Sequence, residues 1–326
     1  MLPGLGGERS VAVLLYHRIA NHVPDPLSQC VTQETFWDQI RTIKRRHTII
    51  GPGELRDGLR AKRLPRGAVM LTFDDGYADN LWAGAPVLRD HRVPATFFII
   101  SGRLGQAEPL LHDRLADLVL NGEVPDQLSI TAGSEQRSWR LNGCATQTTP
   151  WHVEAGGALN ARQQCYVDLH RLTRPLDWGA RVAVLDQLAA AIPRAPEMDA
   201  ARRVLNHAEL RELAAIDGFE IGCHTVNHPM LAMQPAEVQR REIFDSKAHL
   251  ENILERKITT FAYPYGGSAV SGEAVNLVRD AGFDLAFDAI PGLVRRGHDA
   301  LLLPRFVVRN WPSREFSDRL KQWRER

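Results

Sequence analysis

A chain of 326 residues can bury the core of one large α/β domain with an insertion, or of two modest domains, and 44% hydrophobic with 24% charged residues is an ordinary globular composition. Forty basic against 39 acidic side chains leave a formal charge of +1, which excludes a bulk electrostatic partnership with nucleic acid or an anionic membrane surface. Cys30, Cys144, Cys165 and Cys223 are scattered without a C-x-x-C pair, which argues against a thiolate metal site or a disulfide framework and for a reducing compartment.

In chain order, residues 1–9 lack an apolar leader core and the longest apolar run, 11–16, is far too short to span a bilayer, so a cytoplasmic chain without membrane insertion is expected. That run, Val11-Ala-Val-Leu-Leu-Tyr16, reads as a central strand that ends in His17 and Arg18. Phe36, Ile40 and Ile43 recur at helical spacing after Thr32, a candidate N-cap, and predict a helix over 33–46. A short strand over 48–50, a short helix over 53–61, a buried strand over 68–73, a helix over 80–91 and a strand over 94–100 follow. This βαβαβ order implies parallel strands joined by right-handed crossovers.

The alternation breaks down from about 101 to 203. A helix over 110–120, an irregular hairpin within 128–141 and two amphipathic helices over 156–172 and 178–192 read as an insertion or cap of about 101–205, on a scaffold where insertions shape substrate clefts. Its Trp151, His152, His170 and Trp178 suit either sugar stacking or interior packing, and His112 and Asp113 are placed to face a cleft. The pattern resumes with Asn206 as N-cap of a helix to 215, a strand over 219–223, a helix over 236–254, a strand near 259 running into a Pro/Gly turn, a helix over 273–281, and strands over 283–287 and 301–308. A charged helix within 311–326 is most simply a solvated face.

Several strands end in chemistry-bearing residues. Strand 68–73 runs into Asp74-Asp75-Gly76, two carboxylates at the end where α/β sheets place active sites, although a turn or N-cap role is the simplest account of such a pair alone. Strand 219–223 runs into His224-Thr-Val-Asn-His228, whose spacing lets both imidazoles share one face of a helical turn and one cation, a weak signal by itself. Seven or eight βα units make a parallel barrel likelier than an open sheet. In a barrel these ends converge on one rim, with Tyr265 and His17 beside them.

Thr72-Phe-Asp-Asp-Gly76, His224-Thr-x-x-His228 and Tyr263-Pro-Tyr-Gly266 together resemble the ordered motifs of the NodB-homology polysaccharide deacetylases, carbohydrate esterases that remove N- or O-acetyl groups from sugars. The resemblance covers most of 11–308 outside the insertion. It implies a single distorted (β/α)7 TIM-like barrel over 1–326 carrying a mostly helical cap. It further implies Asp75, His224 and His228 as ligands of zinc or another divalent metal, Asp74 as catalytic base, and the Tyr265 N–H as oxyanion donor. The implied reaction is hydrolysis of an acetyl amide, a linear C–N bond, on an amino sugar. The expected intracellular location, not the resemblance, points to a lipid-linked or nucleotide-linked sugar or a glycosylated small molecule as the carrier, since a polymer-processing enzyme would normally be exported. An O-acetyl esterase or an inactive carbohydrate-binding barrel are the other readings.

Two departures from the family pattern matter. No L-x-x-H histidine follows Leu302-Leu-Pro-Arg305, but Leu14-Leu-Tyr-His17 looks similar to members with permuted motif order, which points to His17 as general acid or to a structural polar role. Ala262 stands where many members carry the arginine that tunes the base. Arg305 is then either its substitute from another strand or a surface arginine.

Overall fold

The computed structural model describes residues 9–21, 25–143, 151–154, 156, 159–192 and 202–325. Cys144 lies outside them. Strand β1 (Ser10–Tyr16) is buried along its whole length and leads to a small parallel pair, β2 (Arg18–Ile19) and β3 (Cys30–Val31). Helix α1 (Gln33–Lys44) starts where the Thr32 side chain accepts from the Thr35 N–H, and α2 (Pro52–Arg60) follows with proline in its first turn. Then come β4 (Ala68–Phe73), a wide π-helical turn over 80–84, α3 (Ala85–His91) and β5 (Ala95–Ile99).

The segment 101–205 carries α4 (Leu111–Ala116), which passes into a second π-helical turn over 117–121. It continues with the antiparallel hairpin β6 (Gln127–Ala132) and β7 (Glu135–Arg140), α5 (Ala161–Thr173) and α6 (Trp178–Ala191). The remainder is α7 (His207–Ala214), β8 (Phe219–Cys223), α8 (Ala236–Leu254), β9 (Thr260–Ala262), α9 (Gly272–Asp280), β10 (Leu285–Phe287), β11 (Val294–Arg295), β12 (Phe306–Val307) and α10 (Ser313–Glu325).

The strands lie in the order β10-β9-β8-β5-β4-β1, all parallel, with β12 parallel to the other side of β1 and β11 antiparallel to its start. A parallel bridge between Phe287 and Leu303 ties β10 to the stretch before β12, so the sheet curls into the distorted seven-stranded barrel. Residue parity fixes what fills it. Val11, Val13, Ala68 and Met70 pack with Phe98, Ala262, Leu285 and Phe287 in one cluster, whereas Ala12, Leu14, Tyr16, Val69, Leu71 and Phe73 pack against the helices in another. The two-residue period carries Thr72 and Asp74, and likewise Leu15 and His17, to the inner side at the strand ends. The cap has its own cluster, in which Leu115, Val119, Ile130, Tyr166, Leu169 and Leu188 meet.

Some expectations need correction. Residues 48–50 make one bridge, Ile49 to Val69, because Gly51 and Pro52 turn the chain into α2 before a ladder can extend. The hairpin is regular, with six paired residues on each strand, Leu128, Ile130 and Ala132 being buried on one face. Helix α10 is more than a solvated face: Phe316 and Leu320 are buried, and Trp323 stacks on Phe306 at 4.3 Å. No helix among the described residues is long and apolar enough to cross a membrane.

Candidate active site

Asp74 and Asp75 follow β4 directly and both bring a carboxylate oxygen near His224 Nε2, but their backbones differ. Asp74 still donates its N–H to Tyr16 O in the ladder (2.9 Å), while Asp75 and Gly76 both take left-handed backbone, φ 74° and 75°. A Cβ on Gly76 would come within 2.9 Å of Ile99 Cδ1 and 3.2 Å of its Cγ2, so glycine suits both the crowding and the φ at this position. Arg305 reaches across the barrel to Asp74, donating from Nη1 and Nη2 to the two carboxylate oxygens at 2.7 and 2.8 Å, and from Nε to Asp288 O at 2.9 Å. Its side chain is fully buried, so the surface alternative fails.

Asp75 is the opposite case. Both its carboxylate oxygens are buried and neither has a hydrogen-bond donor. Two imidazoles face it instead. His224 Nδ1 donates to Ala262 O at 2.8 Å, which leaves the Nε2 lone pair pointing into the site, 3.5 Å from Asp75 Oδ1 and 3.7 Å from Asp74 Oδ2. His228 Nε2 is also 3.5 Å from Asp75 Oδ1.

The histidines do not share a helical turn. Residues 224–228 form a loop in which Thr225 and His228 have φ of 64° and 56°, and Thr225 Oγ1 accepts the His228 N–H at 2.9 Å. Glu242 of α8 holds this loop, accepting the N–H groups of Val226 and Asn227 and the Asn227 side-chain amide, each at 2.8 Å. From the cap, Arg181 donates to His228 O at 2.8 Å. Four of the eight described non-glycine residues with positive φ, Asp75, Thr225, His228 and Tyr265, belong to this one site, the pattern expected where strain serves function.

Electrostatics separates the two acids. Burial opposes ionisation of Asp74, but Arg305 and then His224 overcome it and hold its carboxyl below the usual value. Burial and the neighbouring Asp74 charge push Asp75 well above it. Burial lowers His224 and His228, which keeps both imidazoles neutral and able to ligate. The donor set fits a divalent cation. An orphaned buried carboxylate lacks the positive charge it needs, and the three ligand atoms all lie within 4.8 Å of one another. The two 3.5 Å separations match the edge of about 3.4 Å that tetrahedral bonds of about 2.1 Å impose.

Tyr265 follows β9 with φ 65°, and among the described residues its N–H meets no protein acceptor. Gly266 beside it admits no side chain, since a Cβ would approach Ala289 N to 2.6 Å. The Tyr265 ring packs on His228 at 4.6 Å. His17 stands at the end of β1, partly exposed, and its backbone carbonyl accepts from Asn80 Nδ2 at 2.8 Å. Desolvation pushes its imidazole down to about 3, against the pull of Asp74. Sequence reasoning did not find Glu242 or Arg181. Both act on backbone groups of a distant loop, and such bonds leave no spacing to read.

The cap completes a narrow cleft next to His228, whose walls include Leu111, Leu185 and Trp178 with Arg103, Arg174 and Arg181. His112 stands in it, 2.8 Å from the Tyr77 hydroxyl, which donates to Asp113. Trp151 is edge-on to the Tyr166 ring, whereas His170 stacks on that ring and also lines the cleft.

A polysaccharide deacetylase family profile matches residues 61–126 and 194–286. YxkH of Bacillus subtilis (strain 168), named as a polysaccharide deacetylase, is 33% identical over 61 residues, which span 19% of this chain and 22% of that protein. The Streptococcus pyogenes deacetylase PplD, solved with acetate, shares the fold with a TM-score of 0.61 at 18% identity over 97% of this chain and 99% of that one. IcaB from Ammonifex degensii does so with a TM-score of 0.60 at 18% identity over 98% and 99%.

Proposed function

Because the chain belongs to the polysaccharide deacetylase family through residues 61–126 and 194–286, we propose that it is a metal-dependent hydrolase of the N-acetyl group of an amino-sugar-containing substrate. The observation that carries this reading is the split acid pair: one buried carboxylate paired to Arg305 and kept ionised, the other without any donor and faced by two neutral imidazoles. A divalent cation, zinc in the first instance, held by Asp75, His224 and His228 would supply Lewis acidity and a lowered pKa for water.

Asp74 takes the proton of the attacking water as its oxygen bonds to the acetyl carbon. The Tyr265 N–H receives the oxyanion, a contact of a kind worth about 2.7–4 kcal/mol. The C–N bond then breaks, acetate and a free amine are the products, and His17 delivers the proton that the amine needs. His17 is neutral at rest and partly exposed, so it takes from solvent the proton that it then delivers; the negative charge arriving with the attacking oxygen favours this, in the direction that Asp74 already pulls. The same low basicity favours an O-acetyl ester as a second reading, since an alcohol leaves with less acid assistance. A binding-only barrel is disfavoured by the Arg305–Asp74 pair, which metal or sugar binding does not need.

The capped cleft supports a compact acceptor, a lipid-linked or nucleotide-linked sugar or a glycosylated small molecule, over a long polymer. The free thiols Cys30, Cys165 and Cys223 support a cytoplasmic setting. The test is metal analysis of the purified protein, followed by acetate release from matched N-acetyl and O-acetyl sugars with and without chelator. Chelator-sensitive release from the amide is expected. Bound metal with no release from either substrate would overturn the reading.

A further inference from the structure

The wall of the cleft beside His228 carries a charge imbalance that deacetylation itself does not require. Three arginines line it, and among the described residues that line it there is no carboxylate. Arg181 is committed to backbone, donating to Leu176 O, Arg174 O and His228 O at 2.9, 2.6 and 2.8 Å. Arg174 is not committed to any carboxylate among the described residues, and Arg103 meets a single one at its outer end. Arg174 makes no ion pair among the described residues, its Nε is buried without an acceptor, and its guanidinium lies 4.6 Å over the Tyr265 ring, which in turn packs on His228. Arg103, only 11% exposed, has a similarly orphaned Nε, stacks on Trp178 at 5.5 Å, and meets the largely exposed Glu108 only at 3.4 Å. Buried guanidinium donors without acceptors cost stability, and a planar fork held against an aromatic face is preorganised for an oxyanion ligand.

We propose that this cleft binds an anionic substituent, phosphate or carboxylate, of the acetylated substrate, with Arg174 as its principal contact and Arg103 as the second. Leu111, Leu185 and Trp178 then cover the apolar face of the same substituent's carrier. The proposal deepens the deacetylase reading and rests on it for the identity of the acetylated partner. The binding measurement below does not use turnover, so the two can fail separately.

The test uses the metal-loaded full chain and Arg174→Gln, with Arg174→Lys as the variant that keeps the charge and loses the fork. Binding of inorganic phosphate, N-acetylglucosamine 1-phosphate and N-acetylmuramic acid is measured by calorimetry. The ratio of kcat/KM for each anionic sugar to that for methyl N-acetylglucosaminide is then compared across the proteins. Affinity for the anionic probes and the ratio should each fall about tenfold or more in Arg174→Gln, with partial recovery in Arg174→Lys. A larger fall for the phosphate sugar assigns phosphate as the substituent, and a larger fall for the muramic acid assigns carboxylate. Anion affinity equal in wild type and Arg174→Gln, or a ratio that does not move, overturns the proposal. If no sugar is turned over but phosphate affinity still depends on Arg174, the anion site stands and the deacetylase reading falls.

Discussion

Arg305→Ala removes the cation on which the assignment of Asp74 depends. The guanidinium is fully buried and makes four contacts: two to Asp74 at 2.7 and 2.8 Å, one to Asp288 O at 2.9 Å and one to Thr72 Oγ1 at 3.2 Å. Deleting one partner of a buried pair costs about 3–5 kcal/mol. With an unfolding entropy of about 2.1 cal/mol/K per residue over 326 residues, Tm should fall by roughly 4–7 °C. The pH dependence has a definite sign. Arg305 overcomes burial to hold Asp74 below its ordinary value. Such a depressed acid adds stability above its unfolded pKa, and that stability is lost as pH falls through the folded pKa. Without Arg305 the folded pKa rises, so this contribution shrinks, and once burial carries that pKa past the unfolded value its sign reverses. A base must be ionised to act, so the acidic limb of the kcat/KM profile should move to higher pH as well. The assay is a pH–rate profile with metal content measured on the same samples, and Arg305→Lys should fall between the two proteins. A lowered Tm with an unmoved acidic limb refutes the reasoning and leaves Arg305 a structural residue.

Three further outcomes are expected. His17→Ala should lower amide turnover about 10²–10⁴-fold with metal content unchanged and lower ester turnover less; near-normal amide turnover removes His17 from the mechanism. Burial and Asp74 raise Asp75, and an acid raised in the fold loses stability as pH climbs above its unfolded value. Chelated wild type should therefore weaken with rising pH, whereas chelated Asp75→Asn should not, and added zinc should raise Tm for wild type alone; parallel curves for the two chelated proteins would count against an orphaned carboxylate. Glu242→Gln places an amide against the N–H groups of Val226 and Asn227 and should weaken metal binding about 10–100-fold, with turnover restored by excess metal. Unchanged metal affinity would show that the 224–228 loop holds its shape without Glu242.

Much of the barrel was legible because its strands are short runs that alternate with amphipathic helices and end at turns. The runs at 11–16, 68–73 and 219–223 could be placed within a residue or two for that reason. Where pairing rather than pattern decides, the reading slipped. The stretch at 48–50 has strand-like side chains but room for one bridge, and α10 has a charged sequence yet a buried Phe316. The H-x-x-x-H spacing suited a helical turn, but Thr225 and His228 adopt left-handed backbone that Thr225 Oγ1 and Glu242 hold in place. Local spacing cannot distinguish two geometries that bring the same side chains together.

The sequence by itself determined which residue types end the strands, and hence that two carboxylates and two histidines would reach one rim of a parallel barrel. Only the tertiary structure decided how the acids differ. Asp74 and Asp75 are chemically identical neighbours, and what separates them is a guanidinium 231 residues away along the chain on one side and the lack of any donor on the other. Charge interactions depend on distance through space and on burial, and neither is written in the local sequence. The same holds for Arg174 and Arg103, two unremarkable basic residues until the cap closes over His228 and leaves their guanidinium donors facing a cleft lined, among the described residues, by no carboxylate.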